Sequence, residues 1–505
     1  MRRLREHVVE IAIFLTLLFS YAYFFPRWAE WNQNSRMDLT MAIVEEGRFE
    51  IDTYYENTGD YAVYDGHVYT DKAPGTSFLG VPGYAAFRLL TRLPVVERAM
   101  ERLSQTEALK ATLREGGTGL LVEKVRFAAA LYFVTFWVVS VPSAVLGVLL
   151  YGFLGRILDR SLLRLALVLG YGLATIAFPY STVFYGHQIA AVFLFTAFYL
   201  AYRVRIGELS HAALWAMGPL VGLTVLVEFP ALIAAAALGV YTVYFLYRQS
   251  NLRRAFFGAG RVVLGGLPFA VLLGFYNAAC FGSPFASSYR YLGRFPEISN
   301  SGVLGFTAPS WEALWGVTFS PYRGLFFLSP FLLFTLPGFW HLVQERAWRP
   351  EGVLIVGTIA AHLVLIASWY DWRGGFAIGP RNLLLVLPYF VVGVAFFLRH
   401  ADGRWGASLP RLIVRQGVYS VVGASLILSF ILVWVASTSG QDFPPIAIAN
   451  PLVAFFWPKF VAGDITRNLG MALGLPAWWS LAPPILVVAG LFGASTWLGR
   501  GRSIC

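Results

Sequence analysis

Apolar segments of close to 20 residues recur along this chain of 505 residues and constrain its fold more than any other feature. A helix needs about 20 apolar residues to cross the hydrocarbon core of a bilayer, because each residue advances it by about 1.5 Å. Such segments lie near residues 8–26, 127–154, 164–180, 187–203, 212–229, 230–247, 262–280, 324–343, 352–369, 382–398, 416–437 and 481–499. The sequence therefore predicts an all-α polytopic membrane protein of about twelve transmembrane helices, with residues 1–505 forming a single transmembrane domain.

Composition supports the membrane class. Hydrophobic residues make up 57% of the chain and charged residues only 13%, whereas soluble domains carry about 25% charged residues. A water-soluble enzyme and a disordered chain are thereby excluded, and the two cysteines, Cys280 and Cys505, do not make a disulfide framework. The first apolar segment ends in bulky aromatic residues rather than in small ones, so it is expected to be a retained span and not a cleaved signal peptide.

Basic residues concentrate in short connectors between the apolar segments. The connectors assigned to the cytoplasm are 1–7, 155–164, 203–211, 247–261, 341–351, 399–415 and 500–505. Together they hold 20 lysines and arginines against 6 acids, while the rest of the chain holds 19 against 22. Cytoplasmic loops of membrane proteins carry the positive excess, so this arrangement predicts that both termini are cytoplasmic.

The remaining connectors are then extracytoplasmic. They are a long first outer loop, 27–126, and further outer segments at 281–323, 370–381 and 438–480. The apolar stretch 74–93 is expected to lie in or dip into the outer interface, because a crossing there would invert every later connector. The outer face of a multi-pass cell-membrane protein therefore has most of the room for a functional site.

The first outer loop begins with a predicted amphipathic helix from Ser35 to Phe49. Met37, Met41 and Val44 form one stripe, and Asp38 and Glu45 lie on another at a spacing of seven residues. Asp38 has two interpretations, as a functional carboxylate or as the partner of Ser35 in a capping box.

Tyrosines and acids dominate the segment that follows. Asp65-Gly66 predicts a turn between two aromatic-rich arms. A sugar site combines an aromatic stacking surface with hydrogen-bonding side chains, so His67, Tyr69 and Asp71 are candidate substrate-binding residues. Composition alone favours the alternative, an ordinary tyrosine-rich interfacial loop.

Two motifs bear a resemblance to a known superfamily. The first comprises Arg36 and Asp38, then Gly47-Arg48-Phe49, then Asp71-Lys72-Ala73-Pro74, and the second is the segment from Gly379 to Pro388. This pattern resembles the GT-C-type polytopic glycosyltransferases, among them protein O-mannosyltransferases and the lipid A aminoarabinose transferase. The likeness covers the whole hydropathy pattern but only about 60 residues by motif. Those families carry an Asp-Glu pair where this chain has Gln33-Asn34, so Asp38 lies one helical turn later.

The resemblance implies an enzyme that transfers a sugar from a polyprenyl-phosphate carrier to a lipid, glycan or protein acceptor on the outer side, with inversion. Asp38 is then the expected base, with Glu45 and Glu228 as alternatives. Four cations are expected to bind the donor phosphate, namely Arg36, Lys72, Arg323 and Arg381. Nucleic acid is not an expected partner.

Further candidates lie at predicted outer ends of spans. His187 is a candidate acid, base or phosphate ligand, although an interfacial structural histidine is the commoner case. Glu228 lies near membrane depth, where acids are rare and usually functional or paired. Trp372 and Arg373 are candidate substrate-binding residues, and the tryptophan also suits an aromatic belt.

Other functions remain open from the sequence. One is an envelope polysaccharide polymerase or ligase that uses a diphosphate-linked donor, and another is a lipid or solute transporter. Few charges are expected at the bilayer midplane and no related halves are evident, which favours an enzyme over a transporter. No cofactor is expected; acids near the site could hold a divalent ion, but arginine and lysine can equally neutralise a phosphate.

Overall fold

The computed structural model describes residues 2–26, 30–105, 122–303, 305–404 and 409–500. Parts of the predicted first outer loop (27–29 and 106–121), of the connector 399–415 and of the C-terminal segment 500–505, including Cys505, lie outside the described residues. Helices dominate these ranges, and the described residues contain one two-stranded sheet.

Helices of ten or more residues account for most of the described chain. They are Arg2–Ala22, Trp31–Glu45, Gly75–Thr91, Pro94–Ser104, Val122–Thr135, Val141–Leu154, Ser161–Leu173, Gly186–Arg205, Leu214–Val227, Leu232–Gln249, Leu252–Phe281, Thr335–Gln344, Arg349–Ala367, Leu387–Arg404, Leu409–Thr438 and Ala482–Arg500. Shorter α-helices are Ala177–Tyr180, Pro296–Asn300, Trp311–Thr318, Leu325–Leu328, Trp457–Val461 and Leu469–Ala472.

Eight helices in the described ranges are long and apolar enough to cross a membrane. They coincide with eight of the twelve predicted spans, so the prediction of an all-α membrane protein is confirmed at that level. The helix Leu252–Phe281 illustrates the class, because only 6% of its most apolar window is buried inside the protein. Its exposed apolar surface suits contact with lipid chains and not with water.

The predicted span 324–343 is not a continuous helix. Residues 324–343 form a short helix, Leu325–Leu328, a 3-10 turn, Pro330–Phe334, and a second helix, Thr335–Gln344. Pro330 explains the break, because proline has no N–H to donate and its ring clashes with the preceding turn. Thr335 donates its hydroxyl hydrogen to the carbonyl of Phe390 at 2.7 Å and ties the second segment to the helix Leu387–Arg404.

The first outer region differs from its prediction in one helix and matches it in the hairpin. The helix runs Trp31–Glu45, four residues earlier than expected, and we call it the loop helix. Ser35 lies inside it and bonds Thr70 Oγ1 at 2.6 Å, so the predicted capping box is wrong. Strands Tyr61–Tyr64 and His67–Thr70 pair antiparallel around Asp65-Gly66, both with positive φ, so the predicted turn is confirmed.

Close helix packing depends on glycines at particular crossings. A methyl group on Gly338 would overlap the carbonyl oxygen of Gly393, which shows that the helices Thr335–Gln344 and Leu387–Arg404 meet backbone to backbone. Small residues permit this approach between membrane helices. By contrast, a methyl group on Gly357 would meet nothing within 4 Å.

We predict that Gly338→Val destabilises the folded protein strongly, because the valine forces the two helices apart. Overpacking typically costs about 1–3 kcal/mol, and here the obstacle is a backbone atom. Thermal melting in detergent, followed by size-exclusion chromatography, measures the effect. Gly357→Val is the matched control and should melt within a few degrees of the unchanged protein; equal melting of both variants would contradict the packing described.

Candidate active site

A large cavity of about 1210 Å³ opens at the end of the bundle that carries the loop helix. Its polar wall comes from the loop helix, the segment before the helix Gly75–Thr91, and the segment 369–382. Its apolar wall comes mainly from residues 229–233, in the break between two helices, and from residues 273–292. The charged and histidine side chains on its lining are Glu30, Arg36, Asp60, Asp71, Lys72, His187, Glu228, Arg294, Glu297, His362, Asp371, Arg373, Arg381 and Asp442.

Two glycines bring distant segments together at this cavity. A methyl group on Gly75 would lie 2.6 Å from the carbonyl carbon and oxygen of Leu226, so the start of the helix Gly75–Thr91 rests on the end of Leu214–Val227. A methyl group on Gly186 would overlap the carboxylate of Glu228. These contacts place Lys72, His187 and Glu228 around one space although they are far apart in sequence.

Arg36 organises this polar wall from within. Its Nε donates to Asn32 Oδ1 at 3.1 Å, its Nη1 to Ala73 O at 3.1 Å and Thr76 Oγ1 at 3.2 Å, and its Nη2 to Glu228 Oε1 at 2.9 Å. An arginine has five N–H donors, and Arg36 already makes four hydrogen bonds to protein acceptors. Only 2% of the residue is exposed, so the role of Arg36 is to hold the segments of the polar wall together.

Glu228 lies between the helices Leu214–Val227 and Leu232–Gln249 and accepts from two groups. Its Oε1 also lies 3.1 Å from His187 Nδ1. Arg36 is permanently charged and donates to this carboxylate, which favours its ionised form. The carboxylate is therefore ionised at neutral pH and a weak proton acceptor.

Lys72 reaches the cavity between two acids. Its Nζ lies 2.9 Å from Asp60 Oδ2 and 2.9 Å from Asp71 Oδ2. Burial lowers the pKa of Lys72, but the two carboxylates more than compensate and raise it, so the ammonium stays charged. A phosphate that approaches Lys72 also meets these two acids, which weakens the case for Lys72 as the principal phosphate ligand.

Arg381 is placed differently. It lines the cavity, its guanidinium lies over the Tyr185 ring at 5.4 Å from the centroid, and its Nη1 donates to Tyr185 Oη at 3.4 Å. Its Nε is buried without a hydrogen-bond partner, and no carboxylate in the described ranges lies within ion-pair distance of it. A cation with a buried, unused donor is suited to bind an anion.

Aromatic side chains complete the polar wall. The guanidinium of Arg294 lies 4.4 Å from the centroid of the Trp31 ring, and Phe295 and Phe376 approach the same ring at 6.2 Å and 6.1 Å. Asp371 also reaches the lining, and burial raises its pKa. None of these residues was singled out from the sequence, although Asp371 lies within the aromatic segment that drew attention to Arg373.

Several predicted site residues do not line the cavity. Asp38 is fully buried on the far side of the loop helix, where its Oδ1 accepts from Asn57 Nδ2 at 2.9 Å. Glu45 accepts from Tyr54 at 3.3 Å and from Tyr84. The helix that carries both acids is buried around most of its circumference, so the predicted amphipathic pattern does not exist.

Four further predicted site residues also lie away from the cavity. Arg323 is 1% exposed and donates to the carbonyls of Gly375 and Ala377, so it holds a loop. Trp372 packs against Gly316. Exposed His67 pairs with Asp52 at 2.8 Å, and Tyr69 packs against Phe281. The prediction that these four residues reach the cavity is corrected.

Seven predicted residues do meet at the cavity. They are Arg36, Asp71, Lys72, His187, Glu228, Arg373 and Arg381. Arg373 also donates to Glu312 Oε1 at 2.7 Å. In the described residues no cluster of three or more histidine, cysteine or acidic side chains is arranged to hold a metal ion, and whether the protein uses one stays a prediction.

No protein-family model matches this chain, and no curated protein matches it either.

We predict that Asp38→Asn folds and gains stability relative to the unchanged protein as the pH rises. Burial raises the pKa of Asp38 well above its usual range, and the hydrogen bond from Asn57 offsets this only in part. The folded state therefore favours the neutral acid, and stability is lost as pH rises above the unfolded pKa of about 4. Asparagine keeps the oxygen that accepts from Asn57 and removes the titration.

Melting temperatures between about pH 4 and pH 8 measure this difference. Asp52→Asn is the control of opposite sign: burial works to raise the pKa of Asp52, but hydrogen bonds from His67 and Val68 lower it overall. That variant should lose stability relative to the unchanged protein as pH rises. A folded Asp38→Asn protein that has lost its turnover would restore Asp38 as the base.

Proposed function

We propose that this chain is a polytopic glycosyltransferase that moves a sugar from a polyprenyl-phosphate carrier to an acceptor, with inversion at the anomeric carbon. The observation that carries the proposal is Arg381, a cation whose buried Nε has no hydrogen-bond partner, in a cavity that has one polar and one apolar wall. A lipid-linked sugar phosphate matches these two walls, because its sugar and phosphate are polar and its hydrocarbon chain is apolar.

The apolar wall supports a lipid-linked donor rather than a free sugar nucleotide. Leu232, Ile233, Leu273 and Phe285 line that side of the cavity. Leu232 and Phe285 remain 60% and 94% exposed, so the wall continues onto the outer surface of the helices. This exposed apolar surface offers a hydrocarbon chain a place to leave the cavity towards lipid.

The polar wall supports the transfer step. The phosphodiester of the donor carries one negative charge, and a second charge develops on the leaving phosphate as the glycosidic bond breaks. A fixed guanidinium stabilises this additional charge in the transition state. Arginine suits this role because its fork is planar and permanently charged. The acids around Lys72 and the Trp31 ring supply hydrogen-bond acceptors and an apolar face, which are the groups that bind a sugar.

The proposal includes a topology. Twelve spans with both termini in the cytoplasm place the cavity on the extracytoplasmic side. The basic excess of the short connectors supports this orientation, and the stretch 74–93, within which the helix Gly75–Thr91 lies, is not among the helices long and apolar enough to cross. The site then faces a compartment without nucleotide sugars, which agrees with a carrier-linked donor.

We predict that Arg381→Ala lowers kcat/KM for a polyprenyl-phosphate sugar by about 10²–10³-fold, the scale of losing one preorganised stabilising group. Purified protein in detergent is incubated with radiolabelled polyprenyl-phosphate and polyprenyl-diphosphate sugars, and transfer or hydrolysis is counted. Arg381→Lys should recover only part of the rate, because the ammonium lacks the planar fork.

Arg399→Ala is the matched control. Arg399 lies in the same stretch of chain, outside the cavity lining, and pairs with Glu345 at 2.7 Å. A half-exposed ion pair contributes little, so this variant should turn over at close to the unchanged rate. Turnover confined to the diphosphate donors would favour the polymerase or ligase alternative. Flux through liposomes without any turnover would favour a transporter and contradict the proposal.

A further inference from the structure

His187 occupies a distinctive place on the cavity lining. It is the second residue of the helix Gly186–Arg205, and its Nδ1 lies 3.1 Å from Glu228 Oε1. Its Nε2 is buried and has no hydrogen-bond partner among the described residues. One ring nitrogen therefore bonds the protein, and the other is available to a ligand in the cavity.

The carboxylate determines which nitrogen carries the hydrogen. An ionised carboxylate only accepts hydrogen bonds, so the hydrogen lies on Nδ1 and the lone pair on Nε2. Glu228 is itself fixed, because Oε1 also accepts from Arg36 Nη2 at 2.9 Å. Gly186 leaves the space that this carboxylate occupies. A neutral imidazole held in this way is prepared to accept a proton at Nε2.

Other groups on the lining are less suited to that role. Asp60 and Asp71 each hold one carboxylate oxygen 2.9 Å from the Lys72 ammonium, so both carboxylates are engaged in ion pairs within the protein. His362 Nε2 lies 2.8 Å from the carbonyl of Asn382, and no carboxylate in the described ranges pairs with this ring. A carboxylate matters because it stabilises the imidazolium that forms on proton transfer.

We propose that His187 is the catalytic base of the sugar transfer, with Glu228 and Arg36 as positioning residues; this inference rests on the proposed function. The acceptor hydroxyl oxygen forms a bond to the anomeric carbon, and its proton passes to His187 Nε2. The bond from that carbon to the phosphate oxygen breaks, and its electron pair stays on the lipid phosphate. The imidazolium then releases its proton to water. The charged and titratable groups that face the ring are Glu228, Arg36, Arg381, His362 and Tyr185, whose ring centroid lies 6.0 Å from that of His187.

The pH dependence of kcat/KM for the polyprenyl-phosphate sugar tests this role. His187→Ala should lower kcat/KM by about 10²–10⁴-fold, the usual contribution of a general base. The acid limb of the wild-type profile should disappear, and added imidazole should restore part of the rate. His187→Gln serves if the alanine variant does not fold, because its amide can still donate to Glu228; it should fold and remain inactive. Glu228→Gln should cause a smaller loss and move the limb.

His67→Ala is the matched control, since it removes a histidine–carboxylate pair of the same kind outside the cavity. It should leave both the rate and the profile unchanged. A folded His187 variant with the wild-type rate overturns the inference. So does a variant that loses rate, is not rescued by imidazole and keeps the acid limb, because His187 is then only structural. A wild-type protein that turns over none of the donors overturns the proposed function and this inference together.

Discussion

The site depends on one chain of hydrogen-bonded polar groups, in which buried Arg36 bonds Glu228 and Glu228 bonds His187. Burying an arginine or a carboxylate alone is costly, so each requires the other. Through its further bonds to Asn32, Ala73 and Thr76, the arginine joins the loop helix to the start of the helix Gly75–Thr91. These few contacts give the polar wall a fixed geometry before any substrate arrives.

The membrane imposes the second constraint. Only 6% of the most apolar window of the helix Leu252–Phe281 is buried inside the protein. This helix meets Leu214–Val227 by close backbone approach at Gly265 and Gly218, and other helices meet in the same way at Gly338 with Gly393 and at Gly75 with Leu226. Gly75 also sets the position of Lys72 on the cavity, as Gly186 does for His187. Packing and site geometry therefore have a common origin.

The sequence predicts the membrane class, the Asp65-Gly66 turn and the segments that meet at the cavity, because hydropathy and turn chemistry are local properties. It fails at Asp38. In the loop helix, residues from Asn32 to Thr40 are all buried. The pattern of polar and apolar residues therefore does not show which face of the helix meets the cavity. Arg36 faces the cavity and Asp38, two residues later, faces away. The pairing of His187 with Glu228 joins residues of different helices and leaves no local pattern either.

The central claim is that this cavity binds a sugar phosphate on a lipid carrier, with the anion at Arg381 and the chain along Leu232 and Phe285. A cryo-electron microscopy structure of the purified protein with a non-hydrolysable polyprenyl-phosphate sugar tests it most directly. We expect density for the phosphate within hydrogen-bond distance of Arg381 Nε, the hydrocarbon chain on the apolar wall and the sugar near His187. Density for the lipid only on the outer surface of the bundle, with the cavity unchanged, would contradict the account.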